Sequence, residues 1–168
     1  LNPILSFGIN NFFKSAKKAG TDGLIVVDVP PEEDSEIFDL AIKNKIDLIK
    51  LATPTTNVER LKKILKTCSG FLYYVAIKGI TGSKSADPKL VKESIRRLKN
   101  EVTGQFDILV GNIATRESAR DLCEWGADGL RIGIGGGSLC STRIQTGVGV
   151  PMVSSIRNCV SIADDYNV

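Results

Sequence analysis

The most unusual stretch of the sequence is GIGGGSLC at Gly133–Cys140, in which four of eight residues are glycine. Glycines let backbone N–H groups converge on an anion, or carbonyl groups on a cation, because they adopt conformations that other residues avoid. Ser138 adds a hydroxyl group, and Cys140 would act as a nucleophile if its thiolate were stabilised. A flexible glycine turn with an incidental cysteine is the competing interpretation. The glycine-rich stretch directly follows an apolar run, and this position favours a functional loop over an incidental turn.

Two further segments place polar groups after apolar runs. Lys78–Ser83 contains two Gly, a Thr and a Ser, which suits a mobile lid or a phosphate loop, although the residues alone favour a plain connection somewhat more. Asp28 ends another apolar run, where its carboxylate would bind a substrate or cap the following helix. Cys68, Cys123 and Cys159 lie in apolar patterns, and we interpret them as buried, reduced thiols.

Composition excludes several classes of chemistry. The 168 residues include no His, which excludes Ser-His-Asp and Cys-His catalytic groups and His-ligated zinc within the chain. The formal net charge of +3 is too small to indicate a nucleic-acid surface. No apolar run approaches the roughly 20 residues that cross a bilayer, and no secretory signal is visible. We therefore expect a cytoplasmic protein that binds neither membranes nor nucleic acids.

The first residue is Leu1, and the single methionine is Met152. We therefore expect a processed or trimmed product, or a fragment of a longer reading frame.

Short apolar runs alternate with amphipathic stretches along the whole chain. Near-continuous apolar, β-branched runs indicate strands that are buried on both faces, as in parallel sheets. The predicted strands are Gly23–Val27, Asp47–Leu51, Phe71–Ile77, Phe106–Val110 and Gly129–Ile134. The predicted helices are Asn10–Lys18, Pro31–Asn44, Val58–Lys66, Lys89–Lys99, Thr115–Trp125 and Ser154–Ala163.

The repeated strand–helix order predicts an α/β fold, a partial (β/α)8 TIM barrel of about five βα units. The first three predicted strands begin at residues 23, 47 and 71, a constant spacing that fits a repeating unit. A complete barrel typically needs about 250 residues, so we interpret residues 1–168 as a single incomplete domain. In such folds the ligand site lies at the C-terminal ends of the strands, which is where GIGGGSLC is placed.

Four motifs between Asn2 and about Asn100 resemble the tryptophan synthase alpha subunit family. They are NPILSFG at Asn2–Gly8, AGTDGLIVVDVPPEE at Ala19–Glu33, IDLIKLATPTT at Ile46–Thr56 and SGFLYYVAIKGITGS at Ser69–Ser83. The resemblance implies a lyase that cleaves indole-3-glycerol phosphate into indole and glyceraldehyde 3-phosphate without a cofactor. It also implies a tryptophan synthase beta subunit as partner, on the side of Asn2–Phe7, Asp28 and Pro30.

The same resemblance assigns a substrate pocket and the loop that closes it. The implied residues are Tyr73, Thr81, Gly82 and Ser83. The acid–base carboxylates of the family would lie upstream of Leu1, and we therefore expect no lyase turnover from residues 1–168 alone.

From Gly111 to about Val160 the chain resembles a different barrel family, that of IMP dehydrogenase and GMP reductase. The motifs are GNIATRESARDLCEWGADGLRIGIGGGSLCSTR at Gly111–Arg143 and TGVGVP at Thr146–Pro151. The two resemblances join near Asn100–Phe106 and divide the chain into residues 1–104 and 105–168. This pattern indicates a chimera, whether natural, designed or produced by sequence assembly.

The second resemblance implies a nucleotide-binding oxidoreductase with NAD(P) and potassium as cofactors. Cys140 would attack C2 of the purine with Thr142 beside it, and Gly137 and Ser138 would hold the nucleotide phosphate. The backbone carbonyl groups that would surround the monovalent cation belong to Gly135, Gly137 and Cys140. The residues that would lie near the nicotinamide are Asn112, Arg131 and Gly133.

Three functions therefore remain open from the sequence. They are an alpha-subunit-type lyase that is inactive in this form, a cysteine-dependent oxidoreductase module, and a non-catalytic barrel fragment. In the third case, the open edges of an incomplete sheet would favour self-association. A phosphorylated small molecule is the ligand that both families have in common.

Overall fold

The computed structural model describes residues 1–76, 87–102 and 104–168 of the chain. Strands and helices alternate along them, which confirms the α/β class and the partial (β/α)8 barrel fold with five parallel strands. The strands are β1 (Gly23–Ile25), β2 (Asp47–Ala52), β3 (Phe71–Val75), β4 (Asp107–Ile113) and β5 (Gly129–Ile132). The helices are α1 (Asn2–Phe7), α2 (Ile9–Lys18), α3 (Ser35–Lys43), α4 (Val58–Lys66), α5 (Pro88–Val102), α6 (Arg116–Glu124), α7 (Thr142–Thr146) and α8 (Met152–Tyr166).

The described residues form two compact units, one of residues 1–52 and 56–73 and one of residues 53–55 and 74–168. Strand β3 contributes its first three residues to the first unit and its last two to the second. The first unit has the strand order β1-β2-β3, with β1 parallel to β2. The second has the order β3-β4-β5, with β4 parallel to β5. Neighbouring strands are thus consecutive in sequence, as in a βα repeat.

The core of the first unit lies where α2 and α3 cover the sheet. Phe13 of α2 and Ala41 of α3 are fully buried, and Ile37 lies one helical turn before Ala41 on the same face. Ile46 and Leu48 complete this cluster from the sheet side. Apolar residues at helical spacing thus hold the first βα units together.

The core of the second unit is built around β4. Ile108 and Val110 are completely buried, as are Ile95 and Leu98 of α5. On α8, Ile162 is also buried. The burial of alternate and adjacent positions on β2, β3 and β4 confirms that these strands are covered on both faces.

Helices α4 and α6 each begin after a residue whose side chain caps the helix. The Asn57 side chain accepts a hydrogen bond from the Arg60 N–H at 2.8 Å, and the Thr115 hydroxyl accepts one from the Ser118 N–H at 3.2 Å. Both bonds satisfy an amide that has no partner inside its helix. The two caps explain why α4 and α6 begin where the sequence indicates.

The start of α3 differs from the prediction of a helix from Pro31. The helix begins at Ser35, because Pro30–Glu33 form a turn in which the Glu33 N–H donates to the Pro30 carbonyl at 3.0 Å. The short helices α1 and α7 were not predicted at all, and the predicted end of the third strand, Ile77, lies outside the described residues.

All four cysteines are free, as predicted, with Cys68, Cys123 and Cys159 buried and Cys140 exposed. None of the helices in the three described ranges combines the length and the apolar character needed to span a bilayer.

Candidate functional site

The C-terminal ends of β4 and β5 are tied together within the second unit. The Gly133 N–H donates to the Ile113 carbonyl at 2.7 Å, and the Asn112 side-chain amide donates to the Gly133 carbonyl at 3.0 Å. The first bond continues the parallel ladder beyond the last residue of β5, and the second adds a side-chain link at the same place. The loop that follows, Gly133–Cys140, therefore starts from a fixed position at the edge where barrel proteins bind their ligands.

The backbone of this loop takes conformations that favour glycine. Gly133 has a φ of 112° and Gly135 a φ of 60°, both in the range that L-residues with side chains rarely adopt. A residue in the left-handed region beside ordinary residues turns successive N–H groups towards one side, which forms a concave anion site. Gly135 thus has a backbone conformation of the kind that anion sites use, whereas the Gly133 N–H is bonded to the Ile113 carbonyl.

The charges around the loop also favour an anion. Residues 129–151 contain Arg131 and Arg143 but neither Asp nor Glu. Ser138, which the second resemblance assigns to phosphate binding, is exposed within this segment. This segment of the chain therefore carries two cations and no carboxylate.

Cys140 is exposed near the end of the loop, where its Sγ lies 3.2 Å from the Thr142 Oγ1. Hydrogen bonds from the Thr142 hydroxyl and backbone N–H, together with the Arg143 charge, lower the pKa of the Cys140 thiol. The structure thus brings together the two residues that the second resemblance assigns to catalysis. A thiolate in this position is available to reagents in solvent.

The predicted cation site draws on carbonyl groups of the same loop. The Gly137 carbonyl accepts the Cys140 N–H at 3.1 Å, so only its second lone pair is available to a cation. The other two carbonyl groups assigned to the cation, those of Gly135 and Cys140, belong to the same loop. Within the described ranges, no group of three or more His, Cys, Asp or Glu side chains could hold a metal ion.

The remaining predicted site residues lie in different places. Tyr73 is buried on β3 in the first unit, and Arg131 is exposed on β5 in the second. Thr81, Gly82 and Ser83 lie outside the described residues. The structure therefore brings together Asn112 and Gly133 with the glycine loop, and leaves the assignment of the closing loop as a prediction.

A cavity of about 370 Å³ adjoins the end of β4 in the second unit. Its polar lining includes Asn112, Ser118 and Asp121, and Trp125 closes it on the α6 side. Sequence analysis missed Ser118 and Asp121. The available signal was their spacing with Trp125, since positions 118, 121 and 125 share one helix face.

The first unit contains a buried ion pair that sequence analysis also missed. The Lys50 ammonium of β2 donates to the Asp34 carboxylate just before α3, and both side chains are shielded from solvent. The Thr67 hydroxyl donates to the same carboxylate oxygen at 2.9 Å. The signal in the sequence was a lysine inside the apolar run DLIKL. A cavity of about 440 Å³ lies beside Lys50, between β2, α4 and the segment Val26–Pro31 that follows β1.

The first unit also exposes apolar side chains near its N-terminal helix. Leu5 and Phe7 of α1 are 53% and 56% exposed, and Val27, just after β1, is 73% exposed. Asp28 and Pro30 are exposed beside Val27 in the sequence. These are the segments that the first resemblance assigns to a protein partner.

Comparisons with known proteins find one family over most of the chain. The family model described as tryptophan synthase alpha chain matches residues 1–146. The tryptophan synthase α2β2 complex of Pyrococcus furiosus is 30% identical, with a TM-score of 0.71 over 99% of this chain and 64% of that one. The tryptophan synthase alpha chain of Legionella pneumophila is 29% identical, with a TM-score of 0.70 over 99% and 60%. Tryptophan synthase of Mycobacterium tuberculosis is 29% identical, with a TM-score of 0.66 over 78% and 49%.

The chain therefore spans about half to two thirds of the length of these structures. The family match continues through residues 105–146, most of the segment that resembles IMP dehydrogenase and GMP reductase. The comparisons support the first resemblance and give no support to a second family or to a chimera.

Proposed function

Since the chain belongs to the tryptophan synthase alpha chain family, we propose that it serves the lyase reaction in which indole-3-glycerol phosphate yields indole and glyceraldehyde 3-phosphate. The observation that carries this proposal is the family match over residues 1–146. The reaction breaks the carbon–carbon bond between the indole ring and the glycerol chain. One proton moves to C3 of indole and one leaves the neighbouring hydroxyl, so no oxidant or cofactor is required.

The part of the reaction that the second unit would serve is the binding of the substrate phosphate. The loop Gly133–Cys140 supports this role through its left-handed glycines, its neighbouring arginines and the absence of carboxylates in residues 129–151. Gly137 and Ser138 would contact the phosphoryl oxygens, and the Asn112 amide would hold the start of the loop through the Gly133 carbonyl. Tyr73, Thr81, Gly82 and Ser83, which the first resemblance assigns to the substrate pocket and its closing loop, are a separate prediction of substrate contacts.

A tryptophan synthase beta subunit is the proposed protein partner. Two of the similar structures are tryptophan synthase complexes, one of them described as an α2β2 complex. In this chain, the exposed apolar residues Leu5 and Phe7 supply a surface for such a partner. Exposed apolar groups that lie close together commonly mark protein contacts.

Ligand binding tests the proposal directly, because the loop is proposed to hold the substrate phosphate. We expect indole-3-glycerol phosphate to bind in isothermal titration calorimetry and inorganic phosphate to compete with it. Gly135→Ala should weaken this binding at least about tenfold, since the added Cβ would lie 3.1 Å from both the Thr142 and Arg143 side chains at a φ of 60°.

Gly126→Ala is the matched control for backbone strain. Gly126 has a φ of 95°, and its Cβ would meet no atom within 4 Å. It lies between α6 and β5, away from the C-terminal ends of the strands. Equal loss in both variants, or no binding to the unaltered chain, would rule out the loop as the phosphate site.

A second function is favoured by one observation, the exposed Cys140 thiol with its lowered pKa. It is that of a nucleotide-binding oxidoreductase module with Cys140 as nucleophile and with NAD(P) and potassium as cofactors. IMP should then slow the alkylation of Cys140 by iodoacetamide, as followed by peptide mass spectrometry. An alkylation rate that saturating IMP leaves unchanged would eliminate this function.

A further inference from the structure

The side chain of Arg143 lies between two segments of the second unit that are separate in sequence. Its Nε donates to the Ile134 carbonyl at 2.9 Å, and its Nη2 donates to the Val150 carbonyl at 2.6 Å. Ile134 belongs to the glycine loop, whereas Val150 stands just before α8. One guanidinium group therefore joins the start of the loop to the segment that leads into the last helix.

The glycines around Arg143 leave the space that its side chain occupies. A Cβ at Gly149 would lie 2.5 Å from the Arg143 Nε and 2.9 Å from its Cγ and Cδ. Gly149 is not among the glycines with a positive φ, so its backbone would accept another residue. Proximity to Arg143, rather than backbone conformation, is what requires glycine at this position.

Further hydrogen bonds connect Arg143 to the rest of the loop. The Gly147 N–H donates to the Arg143 carbonyl at 3.0 Å, and the Thr146 hydroxyl donates to the Thr142 carbonyl at 2.7 Å. Thr142 in turn lies against Cys140. Hydrogen bonds thus connect residues 137–147, and the Arg143 side chain joins this segment to Ile134 and Val150.

We propose that Arg143 is a positioning residue that fixes the loop Gly133–Cys140 in its ligand-binding conformation. An arginine suits this role because its planar fork of donors can serve two carbonyl groups at once, whereas a lysine ammonium offers a point charge without that fork. The effect of Arg143 on substrate affinity depends on the proposed phosphate site. The effect of Arg143 on the order of the loop depends only on its two hydrogen bonds to carbonyl groups.

The alternative role for Arg143 is direct attraction of the phosphate by its charge. The two roles differ in what a lysine does at this position. If charge alone mattered, Arg143→Lys would keep the affinity and only Arg143→Gln would lose it. If the two carbonyl contacts matter, both variants lose affinity and loop order.

Gly149→Ala provides an independent test, because it keeps the charge of Arg143 and removes the space for its side chain. Arg157→Gln is the control, since Arg157 is an exposed arginine on α8 of the same unit. Each variant of the 168-residue chain is titrated with indole-3-glycerol phosphate. Amide hydrogen exchange is then followed by mass spectrometry in residues 133–151 and, for reference, in α6.

We expect Arg143→Lys and Gly149→Ala to weaken the affinity about tenfold or more. Exchange should become faster in residues 133–151 and stay unchanged in α6, which separates loop release from global unfolding. Arg157→Gln should match the unaltered chain. Unchanged exchange in both Arg143→Lys and Gly149→Ala would overturn the proposal, as would faster exchange that is equal in α6. If the unaltered chain binds no indole-3-glycerol phosphate, the proposed function fails, and the exchange data alone decide the role of Arg143.

Discussion

The four cysteines differ in the pKa of their thiols, because their local surroundings differ. Burial raises the pKa of the Cys68, Cys123 and Cys159 thiols, because an apolar environment disfavours the thiolate. Cys140 is exposed, and the Thr142 hydroxyl and N–H lower its pKa. The apolar sequence pattern predicted this division correctly. It contained no information on the Thr142 contact, which depends on the fold of the loop.

The lowered pKa of Cys140 predicts a distinct pH profile of alkylation. Only the thiolate reacts, so the rate should rise at a lower pH in the folded chain than at the same cysteine in the urea-unfolded chain. Thr142→Val removes the hydroxyl that stabilises the thiolate and should move the midpoint to higher pH. Ser141→Ala, a neighbouring hydroxyl loss, should leave it in place. Iodoacetamide labelling followed by peptide mass spectrometry measures each profile, and identical midpoints for Thr142→Val and the unaltered chain would contradict this account.

At the scale of elements, a helix boundary can be predicted from the sequence when the contacts that set it lie between residues that are close in the chain. Helix α4 was predicted from its first residue to its last, because its apolar face and its Asn57 cap are both local. The predicted start of α3 at Pro31 is wrong, because Glu32–Asp34 resemble the acidic first turn of a helix. Asp34 instead pairs with Lys50, sixteen residues later. A contact of that kind leaves no periodic pattern in the sequence.

The Lys50–Asp34 pair links β2 to the N-terminal end of α3, and Thr67 links it to the end of α4. Lys50→Met would leave a buried carboxylate without its counter-ion, and we expect a loss of about 3 to 5 kcal/mol in the free energy of unfolding. The double variant Asp34→Asn, Lys50→Met should recover much of that loss. Lys62→Met, at an exposed position of α4, should change the free energy by less than about 0.5 kcal/mol. Urea unfolding followed by circular dichroism measures all three, and equal stability of Lys50→Met and Lys62→Met would contradict the prediction.

At the scale of the whole molecule, the βα rhythm and the family resemblance of residues 1–104 could be predicted, because each βα unit carries its own apolar run and amphipathic helix. The second resemblance rested on the motifs at Gly111–Arg143 and Thr146–Pro151, but the tryptophan synthase alpha chain match continues to residue 146 and covers the first of them. A short loop that binds anions through glycine is constrained by backbone geometry, and such constraints are shared by barrels with different reactions. The composition of GIGGGSLC therefore indicates an anion site more strongly than it indicates a particular reaction.

The proposed partner surface can be tested at this same scale, since association with a beta subunit involves the whole chain. Phe7 is 56% exposed on α1, and burying the rest of its ring would contribute about 1 to 2 kcal/mol. Phe7→Ser should therefore raise the Kd for a tryptophan synthase beta subunit roughly tenfold in calorimetric titration. Leu139, which is 100% exposed in the second unit, provides the control for simple loss of an apolar surface group. If Leu139→Ser weakens binding as much as Phe7→Ser does, the contact is not centred on α1. A selective effect of Phe7→Ser would place the partner on the segment Asn2–Phe7, because Leu139→Ser also replaces an exposed apolar side chain with serine, at a site in the other unit.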